Sequence, residues 1–306
     1  MRRSYGEVFR DNIIHLGDSL RQCYLDRIAG EGLSGLAAQA GIAKGEPGGP
    51  TREDADKHFA WRFANSAGRT IYASVDPDEK LKAAYEIIAE TFVDGHVVLV
   101  DVPSGAGAGV LGLLASICER RRCGGSPPLP LNVKVVAGDF SERAGEHLDA
   151  LFSSMETAFA SQNVFVEFER LHWDATRLDT SAAFIDAVVE KAKAADKVFF
   201  LVSNFSGALK DSNLREQFQH FLTQFSSRLR NLPNSLVWVE PNTKDAKDLL
   251  PKIGNWLTRI INWIKAEDRR RVAMAHYSMC DPFTRKIYPT GIALLQCRTE
   301  GLPWST

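Results

Sequence analysis

A chain of 306 residues with 44% hydrophobic and 25% charged residues has the balance of a globular protein, with room for one large domain or one domain plus an appendage. That balance excludes a disordered chain, a collagen-like repeat and a small disulfide scaffold. A net charge of -1 provides no global basic field, so nucleic acid and anionic lipid are not indicated, although a local basic patch stays open.

The five cysteines, Cys23, Cys118, Cys123, Cys280 and Cys297, are scattered. Cys118 and Cys123 are near each other, but no second pair or neighbouring histidine completes a zinc set. They read as reduced thiols of a cytoplasmic protein. His15, His58, His96, His147, His172 and His220 have no ligand spacing either, so no metal is expected. The N-terminus lacks the apolar core of a signal peptide, and no apolar run approaches the roughly 20 residues that span a bilayer. No membrane partner is therefore expected.

From residue 1 to residue 94 the pattern predicts a helical N-terminal region, a candidate lid or substrate platform. Val8, Ile13, Ile14, Leu16 and Leu20 recur at helical spacing, followed by Cys23, Leu25 and Ile28. A Gly/Pro-rich loop covers 45–50. Thr51-Arg52-Glu53-Asp54 has the form of a capping box that opens a helix. A further helix is expected from Pro77 to Phe92, with Pro in its first turn. Phe59, Trp61, Phe63, Arg69 and Tyr72 combine aromatics with a cation, as either pocket wall or core.

From residue 95 to residue 306 the texture changes. Short apolar runs at 97–100, 133–137, 164–168, 198–202 and 236–239 have the continuity of strands buried on both faces. Amphipathic stretches at 110–121, 142–160, 181–195, 214–230 and 246–264 alternate with them. This predicts a doubly wound α/β sheet, mostly parallel. Strand-like segments at 271–279 and 292–297 have no helix between them and predict a C-terminal antiparallel hairpin, with Asp281-Pro282-Phe283 in its turn. Of the two basic clusters, Arg120-Arg121-Arg122 ends a predicted helix, where cations oppose the dipole. Arg269-Arg270-Arg271 is the other.

The most informative stretch joins the buried run at 97–100 to Asp101, Val102, Pro103, Ser104, Gly105, Ala106, Gly107, Ala108 and Gly109, and then to a helix. Glycines let a backbone approach a ligand closely, and the helix N-terminus adds amide donors. A P-loop is rejected because no Gly-Lys-Ser/Thr follows, and the alternating glycines fit a dinucleotide fingerprint poorly. A nicotinamide-dependent oxidoreductase is accordingly the weakest reading.

The stretch resembles motif I of class I S-adenosylmethionine-dependent methyltransferases, Asp/Glu-x-Gly-x-Gly-x-Gly. Asp101 aligns with the acid, Gly105 and Gly107 with the second and third glycines, and Pro103 replaces the first. The resemblance implies seven strands in the order 3-2-1-4-5-7-6 and S-adenosylmethionine as the methyl donor. It implies that Asp101, Pro103, Ser104, Gly105 and Gly107 form the donor loop. It also implies Asp139 on the ribose hydroxyls, Asp174 beside the adenine, and Phe140 or Trp173 over a ring face. Ser203 and Asn204, at the fourth strand's end, would meet the donor methyl and the acceptor, with Asn204 orienting an amine or hydroxyl through its carbonyl oxygen. His276, near the end of the sixth strand, is a candidate acid or base. The acceptor is left unidentified. A protein partner, a homo-oligomer and a methyltransferase-like subunit that binds without catalysis are all compatible with the sequence.

Overall fold

The computed structural model describes residues 5–40, 51–260 and 272–299. The predicted loop at 45–50 and the Arg269-Arg270-Arg271 cluster lie outside them. The strands are β1 (Phe9–Arg10), β2 (Ile13–Ile14), β3 (Gly95–Asp101), β4 (Leu131–Asp139), β5 (Val164–His172), β6 (Lys197–Ser203), β7 (Asn234–Pro241), β8 (Val272–Cys280) and β9 (Ile287–Thr299). The helices are α1 (Asp18–Gly30), α2 (Ser34–Ala37), α3 (Arg52–Val75), α4 (Lys82–Thr91), α5 (Ala108–Arg122), α6 (Glu142–Ala160), α7 (Leu178–Ala192), α8 (Ser212–Arg228) and α9 (Lys244–Ile260). No helix among the described residues is long and apolar enough to cross a membrane.

The strands form one mixed sheet in the order β1-β2-β8-β9-β7-β6-β3-β4-β5. It has nine strands rather than the expected seven. Numbered from Gly95, the last seven follow the 3-2-1-4-5-7-6 order. β3 pairs in parallel with β4 and β6, β5 with β4, and β7 with β6, while β9 runs antiparallel to both β7 and β8. The C-terminal hairpin is therefore present. Its turn is closed by Asp281, whose Oδ1 accepts from the amides of Phe283 and Thr284 and from the Thr284 hydroxyl.

The two extra strands correct the helical reading of residues 8–16. Asp11 and Asn12 both adopt positive φ, 53° and 62°, so the chain reverses between Phe9–Arg10 and Ile13–Ile14 as a two-residue hairpin. β2 then adds in parallel to the edge of β8. Gly17, at φ 77°, separates this ribbon from α1. α4 also begins later than expected, at Lys82, because Asp76 and Glu79 hold left-handed conformations before it.

Alternate residues of the central strand enter opposite cores, as a sheet covered on both faces requires. Val97 and Leu99 of β3 pack with α1, α3, α5 and α6. Val98 and Val100 pack with α7, α8 and α9. The N-terminal helices thus share one core with the sheet. α3 crosses α5 so closely that a Cβ on Gly112 would lie 2.7 Å from the Ala67 carbonyl oxygen. Thr51 caps α3: its hydroxyl accepts from the Asp54 amide at 3.1 Å and donates to the Asp54 carboxylate, in place of the reciprocal backbone bond of a full capping box. The arginines ending α5 are structural. Arg121 donates to the carbonyls of Val93 and Leu129, Arg122 pairs with Glu119, and Arg120 lies over the Tyr85 ring.

Candidate functional site

The parallel strands β5, β4, β3, β6 and β7 all end on the same side, and the crossovers diverge between β3 and β6. Open α/β sheets bind ligands at that position. A cavity of about 500 Å³ lies there. Its floor comes from the loops that follow β3, β4, β5 and β6: Pro103, Ser104 and Gly105, then Asp139 and Phe140, then Trp173 and Asp174, then Ser203 and Asn204. Its roof is one face of α3, formed by Ala55, His58, Phe59, Phe63 and Ser66 at helical spacing.

Asp139 organises the donor end. Its Oδ2 accepts from the Gly105 amide and its Oδ1 from the Ser141 amide, both at 2.8 Å. Ser141 caps α6 through its hydroxyl, and the Ser104 amide donates to the Gly138 carbonyl. The loops after β3 and β4 are therefore locked to each other. Burial pushes the Asp139 carboxyl above the usual carboxylate range, while the amides of Ser141, Gly105 and Phe140 and the neighbouring His172 hold it back. Each oxygen retains a lone pair that could accept a ribose hydroxyl.

Gly105 has φ 51°, and a Cβ there would meet no protein atom within 4 Å. Gly107 differs from expectation. It also has a left-handed backbone, φ 79°, but its missing Cβ would lie 2.0 Å from Leu148 Cδ1, on α6. It spaces the turn from the protein rather than from a ligand, and it does not line the cavity. Asp101 lies beneath the turn, fully buried, and neither of its oxygens has a hydrogen-bond partner of good geometry. Burial raises its pKa well above the ordinary value, opposed by the Val110 amide and reinforced by the Asp139 charge. It supports the loop from below and does not line the cavity.

Phe140 presents a ring that is 49% exposed, whereas Trp173 is only 2% exposed and packs against Phe184, Phe218 and Phe221. Phe140 is thus the open aromatic face. The indole nitrogen of Trp173 and the hydroxyl of Ser104, both on cavity-lining residues, are buried without a partner. The Oδ1 of Asp174 accepts from the amide and hydroxyl of Thr176 and shapes the following turn.

At the β6 end the backbone amide of Asn204 donates to the Val239 carbonyl, and its φ of 57° is left-handed. Glu240, at the end of β7, holds the same loop. It accepts from the amides of Phe205 and Ser206, the Ser206 hydroxyl and the Trp238 indole. Burial raises its pKa, and these donors oppose that rise. The Asn204 Oδ1 accepts from Arg69 at 2.7 Å. A guanidinium cannot accept, so this contact fixes which half of the amide faces α3. One lone pair of the carbonyl oxygen that was expected to orient an acceptor is thus engaged by Arg69.

His276 is not at the site. It is exposed on β8, its Nε2 is 3.1 Å from Asn242 Nδ2, and it does not line the cavity. His58, from the roof, is the histidine that the fold brings to the cavity. Burial, with Arg62 adding to the effect, pushes its pKa down to about 4. Of the aromatics that the sequence offered as pocket wall or core, Phe59 and Phe63 line the roof, at a periodicity that both uses share. Glu240 carried no motif signal. Trp61 points elsewhere, donating to the Leu36 carbonyl. Among the described residues no group of three His, Cys, Asp or Glu side chains could hold a metal ion, and none of the five cysteines is joined in a disulfide.

No family model and no curated protein matches the chain. Among solved structures, it is similar to a Methanococcus maripaludis protein provisionally described as an S-adenosyl-L-methionine-dependent methyltransferase. That match has 10% identity and a TM-score of 0.31, covering 86% of this chain and 100% of that one. Another similar structure comes from work on the conversion of a disulfide bond into a thioacetal group during echinomycin biosynthesis. It has 13% identity and a TM-score of 0.36, covering 73% of this chain and 82% of that one.

Proposed function

We propose that the chain is an S-adenosylmethionine-dependent methyltransferase. The observation that carries this reading is the Asp139 carboxylate, tied to the Gly105 amide at the mouth of the glycine turn, in a cavity spanning the ends of β5, β4, β3 and β6. The row fits an adenosyl group in extension. Neighbouring strands are roughly 5 Å apart, so from β5 to β6 the floor extends about 14 Å. Asp174 offers a carboxylate at the β5 end, Asp139 and the Phe140 ring face lie at β4, and Gly105 leaves open space at β3. The unpartnered Trp173 and Ser104 groups supply further polar contacts.

When bound, the donor supplies an activated methyl group on a sulfonium. The chain's own task is to position the acceptor at the β6 end and exclude water there. Phe205, in the loop after β6, and Leu214, at the start of α8, make that end apolar. His58, which lines the cavity from α3, is held neutral by burial and accepts a proton only weakly. This weak basicity favours a second reading, a subunit that binds the donor without turning it over.

Calorimetric titration with S-adenosylmethionine, S-adenosylhomocysteine and NAD tests ligand choice. Micromolar binding of the first two and none of NAD is expected. Incubation with radiolabelled donor and cell extract then separates enzyme from binding module: label transferred to any fraction supports catalysis, and donor binding without transfer supports the module.

A further inference from the structure

At the acceptor end of the cavity, Asn204 lines the wall with its carbonyl oxygen turned away onto Arg69. The other half of that amide, two N–H donors, finds no acceptor among the described residues. Arg69 stands one turn of α3 beyond Ser66, itself a roof residue. Its guanidinium is half-buried, has no carboxylate within ion-pair distance among the described residues, and keeps a buried Nε without a partner. Glu240, Tyr277 and Tyr288 influence its charge from farther off, and Arg62, on the same helix, adds a second positive charge. The carboxylates lining the cavity, Asp139 and Asp174, belong to the loops after β4 and β5, away from the β6 end. The acceptor end thus combines N–H donors with a cation that has no direct ion pair among the described residues, Glu240 acting on it only from farther off while its oxygens are taken by Phe205, Ser206 and Trp238, and such a pairing recognises an oxyanion. An ammonium or other cationic acceptor would meet two N–H donors with the Arg69 guanidinium behind them.

We infer that the methyl acceptor is a small molecule carrying a carboxylate, received by the Asn204 amide with the Arg69 guanidinium behind it. This deepens the methyltransferase reading and rests on it. A carboxylate can come from the acceptor or from the amino-acid tail of the donor. The position at the tip of β6, beyond the glycine turn and at the far end of the row from Asp174, favours the acceptor.

The test uses the full chain saturated with S-adenosylhomocysteine. Matched probes, benzoate against benzamide and acetate against acetamide, are titrated and followed by calorimetry and ligand-observed NMR. At least a tenfold preference for the carboxylate is expected in one pair. It should be lost in Arg69→Gln and retained in Arg69→Lys. If Arg69→Gln does not fold, Asn204→Asp replaces it, and the preference should again be lost because a carboxylate at 204 neutralises Arg69 and repels the probe. No preference in either pair, or a preference that survives these changes, overturns the inference. It is also overturned if Arg69→Gln weakens S-adenosylhomocysteine tenfold but leaves methylthioadenosine, which lacks the amino-acid tail, unchanged; the cation then reads the donor. Failure of the wild type to bind S-adenosylhomocysteine would instead sink the methyltransferase reading, and the same probe pairs on the ligand-free chain would still decide whether the cavity prefers anions.

Discussion

The Gly105 amide donates to the Asp139 carboxylate at 2.8 Å, so the glycine turn after β3 is held by the residue expected to grip a ribose. One side chain therefore both shapes the loop and offers itself to the ligand. Asp139→Ala should weaken S-adenosylhomocysteine binding by about 1–3 kcal/mol, the cost of losing hydrogen bonds to a charged group. Asp139→Asn retains one acceptor oxygen and should lose less. Calorimetry on both variants checks this order, and unchanged affinity in folded Asp139→Ala would remove Asp139 from the site.

The two glycines of the turn should respond in opposite ways. Gly105→Ala places a methyl in open space at the cavity wall, so folding should suffer only the left-handed backbone cost of about 1 kcal/mol. Ligand affinity should fall at least tenfold. Gly107→Ala drives a methyl into Leu148 on α6 and adds the same backbone cost, for a loss of about 2–4 kcal/mol. Thermal unfolding and ligand titration of the pair separate the effects. A Gly107 variant as stable as wild type would contradict the packing described.

Glu240 should matter to folding more than its distance from any motif suggests. Glu240→Ala strands the Trp238 indole, two backbone amides and the Ser206 hydroxyl without their acceptor. A loss of about 3 kcal/mol or more is expected, since buried unpaired donors cost 1–3 kcal/mol each and some will rehydrate. Glu240→Gln preserves one acceptor oxygen and should fall between. Denaturant unfolding of the two variants gives the ranking.

Why some of this was legible and some was not follows from what each pattern encodes. Strands β3 to β7 were readable because burial on both faces leaves runs such as Val97-Val98-Leu99-Val100, which no surface helix carries. The β1–β2 ribbon was not. Two-residue strands have no periodicity of their own, and Val8, Ile13, Leu16 and Leu20 mimic a helix. Only the Asp11-Asn12 pair between Phe9-Arg10 and Ile13-Ile14 signalled the turn. In the site, residues that follow strand ends could be placed from chain order alone, which is why Pro103, Asp139, Phe140, Asp174 and Asn204 converge. His276 does not reach the cavity because β8 is separated from β6 by two strands, β9 and β7. The α3 roof and the Arg69–Asn204 contact depend on a packing 135 residues apart in sequence, which no local spacing records.

That same packing brings the last prediction, an acid weakness between α3 and α6. His147 on α6 is fully buried, accepts from Arg27 at Nδ1 and meets Asp56 at Nε2, 2.8 Å away, so it is the neutral Nε2–H tautomer. Burial pushes its pKa down to about 4, and Asp56 only partly restores it. Unfolded, the same imidazole titrates near 6.5. Between those values the unfolded chain binds more protons than the folded one, so this contribution to stability is complete above pH 6.5 and is lost as pH falls toward 4. The loss should be on the order of 2–3 kcal/mol. Arg143, which bridges Asp56, Glu31 and Glu146, holds Glu31 below its usual range by direct hydrogen bonding. Asp56 is also lowered: burial opposes this, but the bonds from Arg143 and His147 prevail. Both carboxylates extend the loss to lower pH. Asp101, Asp139 and Glu240, all raised by burial, act in the opposite sense. A difference between two chains isolates the histidine. His147→Gln can still accept from Arg27 and donate to Asp56, but it cannot take up a proton. Denaturant unfolding from pH 8 to pH 4 should show wild type losing stability relative to His147→Gln below pH 6.5, and parallel curves across that window would rule out a neutral buried His147.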